Sequence, residues 1–412
     1  MLKYRLSDLF HYFLLNGANL FVPILIFSIN FRTLSYSNIA TLSISITLNA
    51  FVYVLIEFGF NNIGVARVVN CRLKGIDLSI VFSQVIITRL TIFIVALGVF
   101  VLLFLIAPDF KEFYLLNTLA LLGLTINPFW FFQALEDMKI YTYVTVFFKT
   151  LSLYLVWVFV NGDDDFLLLS AIVGGTSIAS SIIALFYAML KYRVGVRLSG
   201  EILRMSNYVE NYELLKARIL VSIYSSSNVF IVNYFLGSQA TAAYSVIEKF
   251  IILVGAVFEP INQLIFPQLV KHNNRLGREW NIAITRYLAF SLLIILFIVV
   301  IIYQFGDYIL FTYLGLDNQE VQELLRLSCF VFLTIPFGPV FSNLLLAKRE
   351  ISAYFKVLIT TVGLNFILVP AFTITFQLVG FIESYAVVLF IHVILLFVFF
   401  KRAYYGFKFQ VI

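Results

Sequence analysis

Apolar runs long enough to cross a bilayer recur from one end of this chain to the other, and no window between them resembles a soluble domain. A spanning helix needs about 20 mostly apolar residues to cross roughly 30 Å of hydrocarbon. Composition points the same way: 62% of the 412 residues are hydrophobic and 12% are charged, where soluble domains sit near about one half and one quarter. Broken at charges and turn residues, the runs predict twelve spans at 13–31, 37–60, 78–107, 113–135, 140–160, 166–190, 214–236, 240–269, 282–305, 324–347, 351–376 and 379–400. Lys3 and Arg5 precede the first run without a small-residue cleavage site, so the amino terminus is expected to be retained.

Basic residues collect in cytoplasmic loops, which sets the orientation. With the amino terminus inside, the inner loops gather Arg67, Arg72, Lys74, Lys139, Lys191, Arg193, Arg197, Arg204, Arg275, Arg278, Lys348, Arg349, Lys401 and Arg402, among others. The outer loops receive Arg32 and Lys111 and are otherwise acidic, with Asp163, Asp164, Asp165, Asp307, Asp317 and Glu320. The expected fold is therefore an all-α membrane protein of twelve transmembrane helices with both termini cytoplasmic. The longest charged connection, 191–213, mixes Arg193, Arg197, Glu201 and Arg204 with Val194, Val196, Leu198 and Ile202, and reads as an amphipathic linker lying on the membrane surface. It divides the chain into two six-helix lobes, 1–190 and 214–412, a layout used by transporters.

The stretch 129–139, FWFFQALEDMK, places Glu136, Asp137 and Lys139 at the inner end of span four and the tight turn into span five. Trp130 and Gln133 are expected at the level of the lipid head groups, where amphipathic side chains are favoured.

Ionisable and amide groups at membrane depth are costly and so informative. On span eight, Tyr244, Glu248, Gly255, Glu259 and Asn262 fall on one helical face, bordered by Lys249. Span seven carries Arg218, Ser222, Ser225 and Asn233 on one side, and span two a ladder of Thr41, Ser45, Asn49, Tyr53 and Glu57. Serine and threonine alone point to interhelical packing, whereas Glu248, Lys249 and Glu259 point to a hydrated cavity. Arg286 and Lys356 lie near inner ends and are expected to snorkel. Arg89 and Lys149 sit deeper, with two roles open: binding an anionic head group, or joining helices inside one lobe.

Six prolines, Pro23, Pro128, Pro260, Pro336, Pro339 and Pro370, break the spans and suit bent helices. Cys71 and Cys329 are expected to be cytoplasmic and intramembrane respectively, which disfavours a disulfide. His11, His272 and His392 have no ligand spacing, and no phosphate-loop pattern occurs, so neither a metal site nor nucleotide hydrolysis is expected.

Five stretches taken in order carry a family resemblance: EFGFNNIGVARVVN at 57–70, FWFFQALEDMK at 129–139 with Lys149, AAYSVIEKF at 242–250, EPINQLIFPQLVK at 259–271, and FSNLLLAKREISAYFKVLITTVGLNFILV at 341–369. Together they resemble the O-antigen flippases of bacterial polysaccharide export, within the multidrug/oligosaccharidyl-lipid/polysaccharide exporter superfamily. Ala134 stands where that family usually has glycine, and Glu57 where it often has Asp. The resemblance implies that a polyprenyl (undecaprenyl) pyrophosphate-linked oligosaccharide moves from the cytoplasmic to the periplasmic leaflet of the inner membrane by alternating access.

On that reading Arg218 and Lys249 contact the diphosphate, with Arg89, Lys149, Asn49, Asn233 and Asn262 as further cavity candidates. Glu57, Glu248 and Glu259 balance charge or bind a coupling proton or sodium ion, with no other cofactor. The implied partners are the lipid-linked substrate, membrane lipids, and a polysaccharide polymerase and chain-length regulator in the same membrane, with no nucleic acid. The rival readings are a multidrug or metabolite exporter of the same superfamily, a peptidoglycan-precursor flippase, which usually has two further spans, and a polysaccharide polymerase or a polyprenol-dependent glycosyltransferase. The two enzymes would need a substantial outer loop, whereas the acidic outer turn 161–165 is short.

Overall fold

The computed structural model describes residues 6–106, 111–197, 206–271, 278–315, 317–348 and 350–405. Among these the chain is helical, without strands, and ten stretches are long and apolar enough to cross a membrane. It divides into two compact units, residues 1–222 and 223–412.

Unit 1 begins with α1 (Leu6–Thr33) and α2 (Tyr36–Glu57). Ser35 caps α2 by accepting from the Asn38 N–H, and Asp163 of the outer turn accepts from the Ser35 N–H and Asn38 Nδ2 at 2.7 and 2.8 Å. An anion at a helix amino terminus meets unpaired N–H groups and the positive end of the dipole, so the acidic turn Asp163–Asp165 holds the start of α2 from across the unit. Phe58 and Gly59, both left-handed, then turn the chain into α3 (Phe60–Lys74). The stretch after span two is thus a second helix. It is followed by α4 (Leu78–Ile106), α5 (Lys111–Thr125), a break at Asn127 and Pro128, the short α6 (Phe129–Leu135), α7 (Lys139–Phe159) and α8 (Phe166–Tyr192).

The core of unit 1 corrects one expectation. Trp130 does not meet lipid head groups: it is 0% exposed, packed with Phe60, Phe82, Phe131 and Phe132, and its ring lies against Gly64, where a Cβ would come within 3.2 Å of it. The Pro128 break frees α6 to turn its aromatic face inward, and burying this much aromatic surface outweighs what an interfacial ring would gain. The acids that follow do reach the surface. Burial opposes the charge on Asp137, but hydrogen bonds from Lys191 Nζ and Tyr192 Oη, with the charge of Lys191, hold its carboxyl below the usual range.

Part of the expected linker is folded onto this core. Val194 is buried there, Ser83 Oγ donates to the Gly195 carbonyl at 2.9 Å and accepts from the Arg197 N–H at 2.8 Å, and Arg197 reaches Asp77 at 3.3 Å. Residues 198–205 lie outside the described residues, and Ser206 opens the next helix.

That helix, α9 (Ser206–Lys271), runs from unit 1 into unit 2 and contains one non-helical residue, Gly237, with φ 80 and ψ −172. Such a conformation is open to glycine because it has no Cβ. The Thr241 hydroxyl donates to the Gly237 carbonyl at 2.8 Å and lies 3.3 Å from Asn233 Oδ1, which fixes the turn. Unit 2 continues with α10 (Arg278–Leu314), α11 (Gln319–Thr334), α12 (Phe337–Ala347) and α13 (Ile351–Tyr405). Pro336 and Pro339 stand at the start of α12, and α13 is interrupted at Gln377, with φ 54 and ψ −141. Its core is Tyr287, Phe341, Leu344, Val357, Leu396 and Phe400.

Within unit 1, α5 and α8 approach closely at Gly123 and at Gly174; at Gly174 a Cβ would lie 2.6 Å from Leu119 Cβ and 3.2 Å from the Ala120 nitrogen. At the adjacent Gly175 a Cβ would meet nothing within 4 Å. Gly174→Ala should therefore destabilise the protein by about 1–3 kcal/mol through overpacking, while Gly175→Ala gains up to about 1 kcal/mol of helix propensity. Thermal unfolding of the two purified variants in one detergent checks this; equal shifts would contradict the packing.

Candidate functional site

Three of the predicted charged residues, Glu57, Arg89 and Arg218, lie in a polar network inside unit 1. Glu57, the last residue of α2, is 1% exposed. The left-handed pair Phe58 and Gly59 brings the start of α3 over it, so that one carboxylate oxygen accepts from the Asn61 N–H. The other oxygen pairs with Arg218 of α9, whose side chain is about a third exposed. Glu57 thus does two jobs through one buried carboxylate: it satisfies an orphan donor of α3 and holds the incoming segment of α9.

Arg89 of α4 lies beside this pair and is 0% exposed. Its Nη2 donates to Asn61 Oδ1 at 2.9 Å and its Nη1 to the Asn127 carbonyl at 3.3 Å. That carbonyl belongs to the Pro128 break, where freed backbone groups need a partner at membrane depth. Asn127 extends the network: its Oδ1 accepts from the Tyr141 hydroxyl at 3.0 Å and the Phe129 N–H at 2.9 Å, and its Nδ2 donates to Ser181 Oγ at 3.4 Å. Segments from α2, α3, α4, the α5–α6 break, α7, α8 and α9 are joined through three charged and two amide side chains.

Of the two roles open for Arg89, joining helices is the one it performs here. Its two Nη groups donate to Asn61 and Asn127 within unit 1, while its buried Nε has no hydrogen-bond partner among the described residues.

The other predicted residues are more dispersed. In unit 2, Lys249 and Glu248 form an ion pair at 2.9 Å with side chains 13% and 20% exposed, and Glu248 lies near the buried Tyr244 and Tyr385. Glu259, on the same helix, is exposed, and the side chain of Asn262 lies outside the described residues. Asn233 is engaged at the Gly237 turn. Asn49 of α2 has its Oδ1 buried without a hydrogen-bond partner among the described residues. Lys149 of α7 is partly buried and, among the described residues, has neither ion pair nor hydrogen bond. Arg286 and Lys356 are exposed.

Sequence reasoning missed Asn61, Asn127 and Tyr141 as members of the network. Asn61 was visible inside EFGFNN and Asn127 directly before Pro128, the position where a broken helix needs a capping amide. Unit 2 holds a second cluster that periodicity did not reveal: His392 Nδ1 lies 2.7 Å from Thr361 Oγ1, whose proton goes to the Val357 carbonyl, and Asn365 Nδ2 donates to Ser227 Oγ at 3.2 Å.

Comparison with known proteins places this architecture. The family described as "Polysaccharide biosynthesis protein" matches residues 6–273, which include every residue of the unit 1 network. The chain belongs to the polysaccharide biosynthesis protein family. Two relatives are named "Putative O-antigen transporter": one from Shigella dysenteriae is 21% identical over 82% of this chain and 85% of its own length. One from Escherichia coli (strain K12) is 23% identical over 61% of this chain and 62% of its own length. Among solved structures, an inward-facing multidrug resistance MATE family transporter of the MOP superfamily is similar at a TM-score of 0.74 and 13% identity, with 95% of each chain covered. A MOP superfamily transporter from Pyrococcus furiosus, titled for the reverse polarity of its binding pocket, is similar at 0.55 and 15%, with 98% of this chain and 92% of its own covered. At these identities the likenesses show a shared fold.

The asymmetric exposure of the Glu57 and Arg218 pair sets an unequal cost of breaking it. Arg218→Gln strands a buried carboxylate and should cost about 1–3 kcal/mol or more, whereas Glu57→Gln leaves an arginine able to reach water and should cost less. Adding Glu57→Gln to Arg218→Gln should restore part of the loss, measured as a double-mutant cycle on thermal unfolding; strictly additive losses would mean the two side chains do not interact.

Proposed function

We propose that the chain is a membrane flippase that moves polyprenyl (undecaprenyl) diphosphate-linked O-antigen repeat units from the cytoplasmic to the periplasmic leaflet of a bacterial inner membrane by alternating access. The observation that carries this reading is the excess of cations at membrane depth. Arg89, Lys149, Arg218 and Lys249 stand against the buried or half-buried acids Glu57 and Glu248, while Glu259 of α9 and Glu383 of α13 are exposed. A carrier of cationic drugs needs the opposite balance, while a diphosphate with a hydrophilic saccharide needs positive charge together with amide and aromatic groups. The two relatives named as O-antigen transporters support the same substrate class.

The transporter would have twelve spans with both termini cytoplasmic. Dividing the 45-residue and 54-residue apolar stretches Leu215–Glu259 and Ile351–Tyr404 at Gly237 and Gln377 turns ten candidate spans into twelve. Two six-span lobes, 1–190 and 214–412, would flank the 191–213 connection. Glu57, Glu248 and Glu259 are the groups to carry a coupling proton or sodium ion, and a polymerase and chain-length regulator would act on the delivered repeat unit. The second reading, a drug or metabolite exporter, is favoured by the likeness to multidrug transporters, a likeness of fold.

Deletion of the gene in its own strain, with the rest of the polysaccharide cluster intact, separates the alternatives. The flippase reading predicts loss of surface polysaccharide, with single lipid-linked repeat units accumulating on the cytoplasmic leaflet. Repeat units that reach the periplasmic leaflet unpolymerised would contradict it. Unchanged surface polymer with raised drug sensitivity would favour the exporter.

A further inference from the structure

The cations of unit 1 are not equivalent, and their partners separate them. Arg89 is buried and bonded to Asn61 and Asn127, and Arg218 is paired with Glu57. Lys149 has no counter-ion among the described residues. It is the middle residue of α7 (Lys139–Phe159), ten residues from either end, which at 1.5 Å per residue is about 15 Å along the axis and so near the centre of a roughly 30 Å hydrocarbon layer.

Its direction follows from the helix itself. Thr142, Thr145, Lys149, Ser152 and Val156 fall at spacings of three and four, within about 60° of one another's face centre. The four flanking residues are all buried. The opposite face carries Tyr143, Phe147, Tyr154 and Trp157, exposed by 47%, 62%, 56% and 65%, which is the side that meets lipid. Lys149 therefore points into unit 1 and does not snorkel along the lipid boundary.

One turn farther along the same face, Ser152 is 4% exposed and its hydroxyl has no hydrogen-bond partner among the described residues. On this face, Lys149 and the hydroxyls of Thr145 and Ser152 supply an ammonium and two O–H groups that make no hydrogen bond among the described residues. Glu57, the acid closing α2, is occupied by Arg218 and the Asn61 N–H. An anionic group reaching this face would meet the ammonium and the hydroxyls.

We propose that Lys149, with Ser152 beside it, is the contact for the phosphate groups of the lipid-linked substrate, while Arg89, Arg218 and Glu57 form a brace that holds unit 1 together and does not touch substrate. This rests on the flippase reading and deepens it, replacing the expectation that Arg218 meets the diphosphate. An ammonium is a point charge on a flexible stem, so it can follow a phosphate without the fixed fork geometry of arginine.

The test uses the full chain in nanodiscs of uncharged lipid, titrated with a short-chain polyprenyl diphosphate and, separately, with inorganic diphosphate. Lys149→Met should weaken polyprenyl diphosphate binding by about tenfold or more, and Lys149→Arg should stay within about threefold of wild type. Because the methionine removes an uncompensated charge, its melting temperature should equal or exceed that of wild type. A structural lysine would instead lower melting while sparing the affinity of the folded fraction, which would overturn the proposal. Unchanged affinity in Lys149→Met would overturn it as well, as would displacement by phosphatidylglycerol at matched concentration, which would assign the contact to bulk lipid head groups. Competition by inorganic diphosphate supports a phosphate contact rather than one made to the polyprenyl chain. Transport of a lipid-linked saccharide by the wild type is followed in parallel. If it proceeds while Lys149→Met binds normally, the assignment to Lys149 fails and the flippase reading stands; if it is absent, the flippase reading itself fails.

Discussion

Burying a carboxylate where no water can solvate it is the constraint around which unit 1 is arranged. Glu57 ends α2 at a point where the chain must turn, and an isolated charge there would be several kcal/mol too costly to keep. The turn made by Phe58 and Gly59 supplies the Asn61 N–H, α9 supplies Arg218, and Asn61 then presents its amide oxygen to Arg89. Arg89 in turn satisfies the carbonyl that the Pro128 break leaves open. Each polar group is tolerable because the next is in place, so the network's members stand or fall together.

That arrangement explains why α6 can be so aromatic. Once Asn127 and Arg89 have settled the broken backbone, the seven residues of α6 are free to turn Trp130, Phe131 and Phe132 into the core. The acids that follow then emerge at the unit's surface, where Asp137 meets Lys191 and Tyr192. What looks in the sequence like an abrupt change from lipid-like to charged is the passage from a buried plug to a wet helix end.

Much of this was legible in the residues. Apolar runs and the distribution of Lys and Arg predict an all-helical membrane protein, and Arg89 and Glu57 stand out by charge alone. The division of labour among the cations was not legible, because periodicity assigns a residue to a face but not to a partner. Arg218 lies on a polar stripe with Asn233, yet one pairs with a carboxylate from α2 and the other sits at the Gly237 turn. Trp130 was misjudged for a related reason: hydropathy gives a residue's place along a span, not whether its ring turns to lipid or into the protein. The helical character of α3 was hidden by its moderate polarity and by the two left-handed residues before it.

Family membership, the fold shared with known transporters and the cations within the apolar stretches support the proposed transport of an anionic lipid-linked saccharide. The most direct measurement is leaflet exchange by the purified chain. Proteoliposomes carrying a polyprenyl diphosphate-linked oligosaccharide would be probed with a membrane-impermeant lectin or glycosidase. The account predicts that the chain makes the inner-leaflet pool accessible while protein-free vesicles keep it protected. A folded, correctly inserted protein that leaves that pool protected, under both proton and sodium gradients, would contradict it.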